Sequence, residues 1–420
     1  MTTDWRRTYE ALIAGLPDVV RRARLTLCGF SACVDVYLSL HDVDSVAADA
    51  KGTPAAALFA ELKQRAKTGI GGELRAEWPD GPRWLPRHLR GRLGLGGTGA
   101  QAAQLLATLG APALLALADR SLEQLQVIHP DVELASAGGL VRRKDIRPSR
   151  LGAPPHIIFE FTAGRTVDGV LVGRSSRVIV RFNDSDLQHD GHFDRLSAEL
   201  AGSAGAGILS GFNELPPART KAEHAFVLRT AEAWRARGLG TIHLELGDFP
   251  NEAMRDEALA ALAPAATSFG ASLSELDGLF PASDPVAERA IAVAERFGFS
   301  RVCIHADHWA LAVTRGDPEI ERTALLTGCL VAAARAAAGQ IVVPQSIPEG
   351  AELNPLPFPA THRSGGWHVL AVPSPYLARP AATIGLGDTF LAGTLLVLGA
   401  DADRSGAAAT SPHRLPIQPL

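Results

Sequence analysis

The chain has 420 residues, 46% of them apolar and 20% charged, with a formal net charge of -4. That length favours one large domain plus a smaller one, and the near-balanced charge excludes a global electrostatic case for nucleic acid or an anionic membrane. Cys28, Cys33, Cys303 and Cys329 form neither a zinc spacing nor a disulfide framework, the apolar runs are too short to span a bilayer, and a cytoplasmic protein is expected.

In chain order, residues 3–20 read as an amphipathic helix and residues 25–30 as a buried strand ending near a glycine. Asp35 follows that strand end, where open α/β sheets gather ligands, and could hold the hydroxyls of a polyol. A helical pattern covers 47–67. Residues 77–93, with Trp78 and Trp84, lack periodicity and suggest an irregular, exposed segment or part of a lid. Residues 94–99 match Gly-x-Gly-x-x-Gly, open a helix over 100–109 and precede a strand over 113–118 that ends in Asp119. This approaches a dinucleotide-binding fingerprint, but residues 86–92 are too polar for the central parallel strand that should precede the glycines. Residues 140–144, 155–161 and 177–182 read as strands and suggest a small β-rich lid. From about residue 184 helices and strands alternate: strands over 207–210, 241–246 and 301–305, helices over 193–201, 219–236, 251–261 and 285–297. Such alternation means a parallel sheet with helices on both faces.

The last motif is the most informative for chemistry. Gly385, Leu386 and Gly387 form a bare turn ahead of an apolar run, so a helix beginning at Asp388 would aim free backbone N–H groups at an anion. Asp388 in that first turn is placed to take a proton from a hydroxyl attacking phosphorus. His243 and Glu245 end an apolar strand two residues apart and so face one side, and Glu275 enters a helix. One or two such carboxylates suffice for a magnesium ion that also binds phosphate oxygens. The carboxylates and the turn together describe a phosphoryl-transfer site.

Six blocks in order resemble the ADP-dependent glucokinase and phosphofructokinase family of the ribokinase-like superfamily: Gly29 to Asp35; Gly96-Gly97 before a helix; His156 to Phe161; His243-Leu244-Glu245; Ile304-His305 with Ala310-Leu311; and Thr383 to Thr389. The resemblance implies a ribokinase-like α/β fold with a smaller β-rich lid. It places the catalytic base on Asp388, the anion hole on Gly385 to Gly387, and metal binding on Glu245, with Glu275 beside it. It also implies sugar contacts from Asp35 and Glu73; Gly97, Thr98 and His156 are further candidates for substrate binding, His305 for nucleotide binding, and Arg177 in the lid for a phosphate contact. Ser272, Thr98, Ser31 and Trp309 depart from the family pattern. The expected organisation is a large domain over 1–34, 95–135 and 184–400, a lid over 35–94 and 136–183, and a flexible tail over 401–420. The expected activity is transfer of the terminal phosphoryl group of ADP, with Mg2+, to a hexose or hexose phosphate by a monomer or small homo-oligomer. Three other readings stay open: an ATP-dependent carbohydrate or nucleoside kinase on this fold, a non-catalytic sugar- or nucleotide-binding protein, and a dinucleotide-dependent oxidoreductase.

Overall fold

Seven parallel strands make the centre of an eleven-stranded sheet in the computed structural model, which describes residues 4–149, 152–182 and 187–400. Across the sheet these are Arg301–His305, Ser268–Ser272, Ile242–Glu245, Ala206–Leu209, Thr26–Cys28, Ala113–Leu115 and Glu133–Ser136. Antiparallel strands close both edges: Trp309–Thr314, Trp367–Pro373 and Thr361–Ser364 on one side, Gly139–Arg142 on the other. Thr26–Cys28 and Ala206–Leu209 are buried at every position, as expected of strands covered by helices on both faces. One face carries a core around Phe30, Phe193, Trp234 and Phe269, in which the Trp234 and Phe30 rings stack 6.1 Å apart. The other face carries Leu105, Leu106, Leu391 and Leu395 from the helices Thr98–Leu109 and Leu386–Leu398.

Strand order reverses between Thr26–Cys28 and Ala206–Leu209, because later strands add on one side and earlier ones on the other. Ligands of open α/β sheets bind beyond the carboxyl ends at such a point. Here Ser31 and Ser210 join hydroxyls at 2.9 Å, and Ser31 Oγ accepts from the Gly99 N–H at 3.2 Å, so the start of the helix Thr98–Leu109 is tied to the reversal point.

A separate five-stranded sheet runs Gly72–Arg75, Ser176–Arg181, His156–Phe161, Cys33–Ser39, Gly91–Gly96. Its core of Leu38, Phe59, Leu62, Phe159, Phe161 and Val178 is covered by the helix Pro54–Thr68. The lid is therefore a sheet with its own apolar interior.

Several expectations need correction. Residues 77–93 are not irregular throughout: Gly81–His88 is a helix, and Trp78 is buried against Trp84 and Phe182. Its Pro82 and Pro86 masked the helical pattern, and the buried tryptophan shows that the segment closes the lid core. Residues 94–96 are not a phosphate-binding turn but the end of the strand Gly91–Gly96, antiparallel to Cys33–Ser39. A Cβ on Gly96 would overlap the Asp35 carboxylate, so that glycine makes room for a side chain, and the dinucleotide fingerprint has no structural counterpart. The strand expected at 140–144 occurs as Gly139–Arg142 and belongs to the large sheet, so the proposed lid boundary at 136 does not follow strand pairing. Cys33–Ser39 and Gly91–Gly96 likewise straddle the proposed boundaries at 34 and 94. The helix over 47–67 is broken between Ala50 and Pro54. The expected tail over 401–420 lies outside the described residues.

Candidate active site

The terminal helix Leu386–Leu398 begins at Gly385, whose φ of 68° is a left-handed conformation available to glycine at little cost. That residue must also be small, since a Cβ would sit 2.5 Å from Arg335 Nη2. Arg335 comes from the long helix Pro318–Ala338, which starts on an Asp317 cap and ends at Gly339. Its Nη1 donates to the Gly385 carbonyl at 3.0 Å, Thr389 Oγ1 at 2.8 Å and Gln101 Oε1 at 2.9 Å. One guanidinium nitrogen thus ties the turn to two neighbouring helices.

Asp388 lies half-buried in the first turn. Burial raises its pKa, while the polar Thr98 side chain nearby and the charge of Arg335 pull the other way. Thr98 opens the helix Thr98–Leu109, so two helix N-termini converge on this carboxylate. Arg177 sits on the strand Ser176–Arg181, where the charge of Asp388 reaches it.

Glu245 terminates the strand Ile242–Glu245 at the end of a directed hydrogen-bond chain. Glu321 accepts from Arg301 Nε at 2.8 Å, and Arg301 Nη1 donates to Ser268 Oγ at 3.1 Å. Ser268 Oγ lies 2.8 Å from His243 Nδ1, and His243 Nε2 lies 2.9 Å from Glu245 Oε2. With Ser268 accepting from Arg301, its hydroxyl proton goes to His243 Nδ1, which fixes the His243 proton on Nε2, aimed at Glu245. Burial opposes the charge on Glu245, but the bond from His243 and the nearby His305 imidazole outweigh it and hold the carboxylate down at about 2. The carboxylate fits here because residue 270 is glycine: a Cβ there would overlap Glu245 Oε2. His305 Nε2 stands 3.8 Å from Glu245 Oε1, and its ring lies against Gly387 and Phe390.

Glu275 closes a capping box, accepting the Ser272 N–H at 2.6 Å while Ser272 Oγ accepts the Glu275 N–H. Burial and the Glu245 charge raise its pKa. One of its oxygens therefore serves the helix, and the charge of Glu245 reaches the group.

On the lid side, Asp35 is 4% exposed, and burial pushes its carboxyl up to about 7. Tyr37 donates to its Oδ2 at 3.2 Å. His156 is the register partner of Asp35 on the neighbouring strand, and burial lowers it to about 3, so it is neutral. Gly97 caps the helix of Thr98 with its backbone against Ser31. Glu73 accepts from Arg181 at 2.6 Å, so its charge is already paired. The charges of Arg181 and Asp388 both act on Asp35, which brings lid and large sheet together at one carboxylate.

Asp388, Asp35, Arg177, Glu245 and His305 thus lie within electrostatic reach of one another, with the glycine turn and Thr98 beside Asp388, His156 beside Asp35 and Glu73 one arginine further out. Arg335 and the Glu321–Arg301–Ser268 chain were missed. Asp317-Pro318 and Gly339 mark the ends of the helix that carries Arg335 and could have revealed it, but no local signal says that its arginine turns inward.

The architecture is a ribokinase-like α/β fold. The family model for the ADP-specific phosphofructokinase/glucokinase conserved region matches residues 26–397, and the chain belongs to that family. An ADP-dependent glucose/glucosamine kinase of Pyrococcus furiosus is 28% identical over 269 residues, 56% of this chain and 58% of that protein. An ADP-dependent kinase solved with fructose-6-phosphate and ADPβS superposes with a TM-score of 0.77 at 18% identity, covering 96% of this chain and all of the other. A hypothetical ADP-dependent phosphofructokinase from Pyrococcus horikoshii OT3 gives 0.73 at 18% identity, covering 90% and 98%.

Proposed function

We propose that this protein is a sugar kinase that transfers the terminal phosphoryl group of ADP to a hexose hydroxyl and releases AMP. The observation that carries this reading is the Asp388 carboxylate in the first turn of a helix opened by a bare glycine turn, in electrostatic contact with a second carboxylate, Asp35, from the lid. Family membership supports the donor, and the glucose/glucosamine kinase relative supports the acceptor class.

Asp35 and its neighbours hold the acceptor, and Asp388 takes the proton of the attacking hydroxyl. Its raised pKa suits a base that must accept a proton near neutral pH. The acceptor oxygen forms the new bond to the β-phosphorus as the bond to the AMP oxygen breaks. The turn from Gly385 to Gly387 and Arg177 offset the charge on the transferring group. The Glu245 carboxylate, ionised and oriented by His243, fits a hard divalent cation that takes oxygen ligands, with Glu275 supplying further negative potential. A magnesium ion bound there would neutralise phosphate charge in the transition state.

Glu245→Gln is expected to raise the Mg2+ concentration needed for half-maximal rate and to lower turnover, without unfolding the protein. An unchanged magnesium titration would remove Glu245 from the metal site. For the donor, kcat/KM is expected to be higher with ADP than with ATP, and the reverse order would favour an ATP-dependent kinase on this fold. Glucose is expected to turn over faster than fructose 6-phosphate, since Asp35 offers acceptors to neutral hydroxyls and Arg181 is engaged with Glu73. A screen of sugars and nucleosides with both donors tests all of this at once, and a protein that binds but phosphorylates none of them would be a binding protein.

A further inference from the structure

Cys33, Asp35 and His156 are drawn together by the sheet itself. Cys33 and Asp35 lie two apart on the strand Cys33–Ser39 and so point to one face, and His156 faces Asp35 in register on the next strand. Cys33 Sγ lies 3.4 Å from His156 Nδ1 and 3.6 Å from Asp35 Oδ1, and Nδ1 lies 3.9 Å from Oδ1. A tetrahedral zinc ion, with metal–sulfur bonds of about 2.3 Å and metal–nitrogen or –oxygen bonds of about 2.0 to 2.1 Å, holds its ligand atoms about 3.3 to 3.6 Å apart. The two separations from the thiol sulfur therefore already match a zinc ligand triangle, and the imidazole-to-carboxylate separation needs to close by about half an ångström. Among the described residues this is the one group of three such side chains with ligand atoms this close. Tyr37 engages Oδ2 of Asp35, which leaves Oδ1 as the oxygen nearest the thiol and the imidazole and supplies the outer hydrogen bond that orients metal-binding carboxylates. Arg181 is the nearby positive charge, and Glu73 offsets it at 2.6 Å.

We propose that Cys33, Asp35 and His156 form a site for a thiophilic divalent cation of the zinc class, and that its occupancy excludes the sugar acceptor. The ligand set differs from that around Glu245, where hard oxygen donors suit magnesium; a thiolate with an imidazole selects zinc. Binding replaces the Cys33 S–H bond with a metal–sulfur bond and releases the thiol proton to solvent. The exclusion of sugar rests on the acceptor reading of Asp35; the metal site does not.

The test uses the purified full chain with Co2+ as the spectroscopic probe and Zn2+ as competitor, without nucleotide. The wild type is expected to bind one Co2+ with a thiolate-to-cobalt charge-transfer band that Zn2+ abolishes. Cys33→Ser and His156→Asn are expected to lose the band and to bind at least about 100-fold more weakly, since even outer partners of metal ligands are worth about 10- to 100-fold. Glu245→Gln should keep it. Circular dichroism verifies that each variant is folded. A wild type without the band, or a folded Cys33→Ser variant that keeps it, overturns the proposal. Glucose added to the cobalt form is expected to bleach the band. A Cys33-dependent band indifferent to every accepted sugar would overturn the exclusion and the placement of the acceptor at Asp35, while leaving the metal site standing.

Discussion

Asp388→Asn is expected to lower kcat by roughly 10²-fold or more while changing nucleotide affinity far less, the scale on which a positioned general base acts. The substitution keeps the size and polarity of the side chain, so the convergence of the two helix starts should survive. Stability should change by about 1 kcal/mol or less, and because burial disfavours the carboxylate in the folded protein, the sign can be a gain. Removing a negative charge beside bound phosphates should tighten ADP slightly. Steady-state kinetics beside calorimetric titration of ADP separates this from a purely structural role. Near-normal kcat in the variant would mean that Asp388 has only a structural role in the first turn of the helix.

Arg335→Ala is expected to have the second largest effect, on two readouts together. The guanidinium is the shared partner of the Gly385 carbonyl, the Thr389 hydroxyl and the Gln101 amide oxygen, all inside the packing of three helices. Thr389 retains the Gly385 carbonyl as acceptor at 2.7 Å, but Gln101 Oε1 and the cavity left by the side chain remain. Leaving a buried polar group without its partner costs about 1 to 3 kcal/mol, and the lost packing adds to this, so a stability loss of about 3 kcal/mol is expected. A turn no longer held in place should cost roughly 10²-fold in kcat/KM for the nucleotide, since small misplacements of catalytic groups have effects of that order. Arg335→Lys keeps the charge, but its shorter side chain does not reach the position of Nη1; it should recover little of the activity. A lysine variant with wild-type kinetics would show that charge alone matters, and an alanine variant that is folded and fully active would remove Arg335 from the site.

The site shows where local sequence suffices and where it does not. The turn at Gly385 and Asp388, the pairing of His243 with Glu245 on one strand face and the capping box at Ser272 are written in spacings of a few residues, because helix starts and strand alternation are local geometry. The alternation of helices and strands after residue 184 likewise announced a parallel sheet, since that pattern has few other packed solutions. The glycines at 94–96 misled for the complementary reason: a glycine needed for a turn and one needed to admit a neighbour's side chain look alike in sequence, and only the pairing of Gly91–Gly96 with Cys33–Ser39 shows that Gly96 makes way for Asp35.

Strand order had the same limit. Gly139–Arg142 pairs with Glu133–Ser136 in a hairpin at the edge of the large sheet, and nothing in its own residues distinguishes that from a strand of the lid. Thr98, read as a departure from a family pattern, becomes a polar neighbour that acts on Asp388 only when the helix it opens meets the terminal helix. Arg335 sits 50 residues before the carbonyl it holds, and Arg301 and Glu321 sit on either side of a strand and a turn before they join. By itself the sequence determined the local chemistry: which residues can start a helix over an anion, donate, accept or ionise. Tertiary structure decided which of them share a cleft and how burial and neighbouring charge set their protonation. Those depend on distances between segments far apart in the chain, and such distances are fixed only when the two sheets have packed.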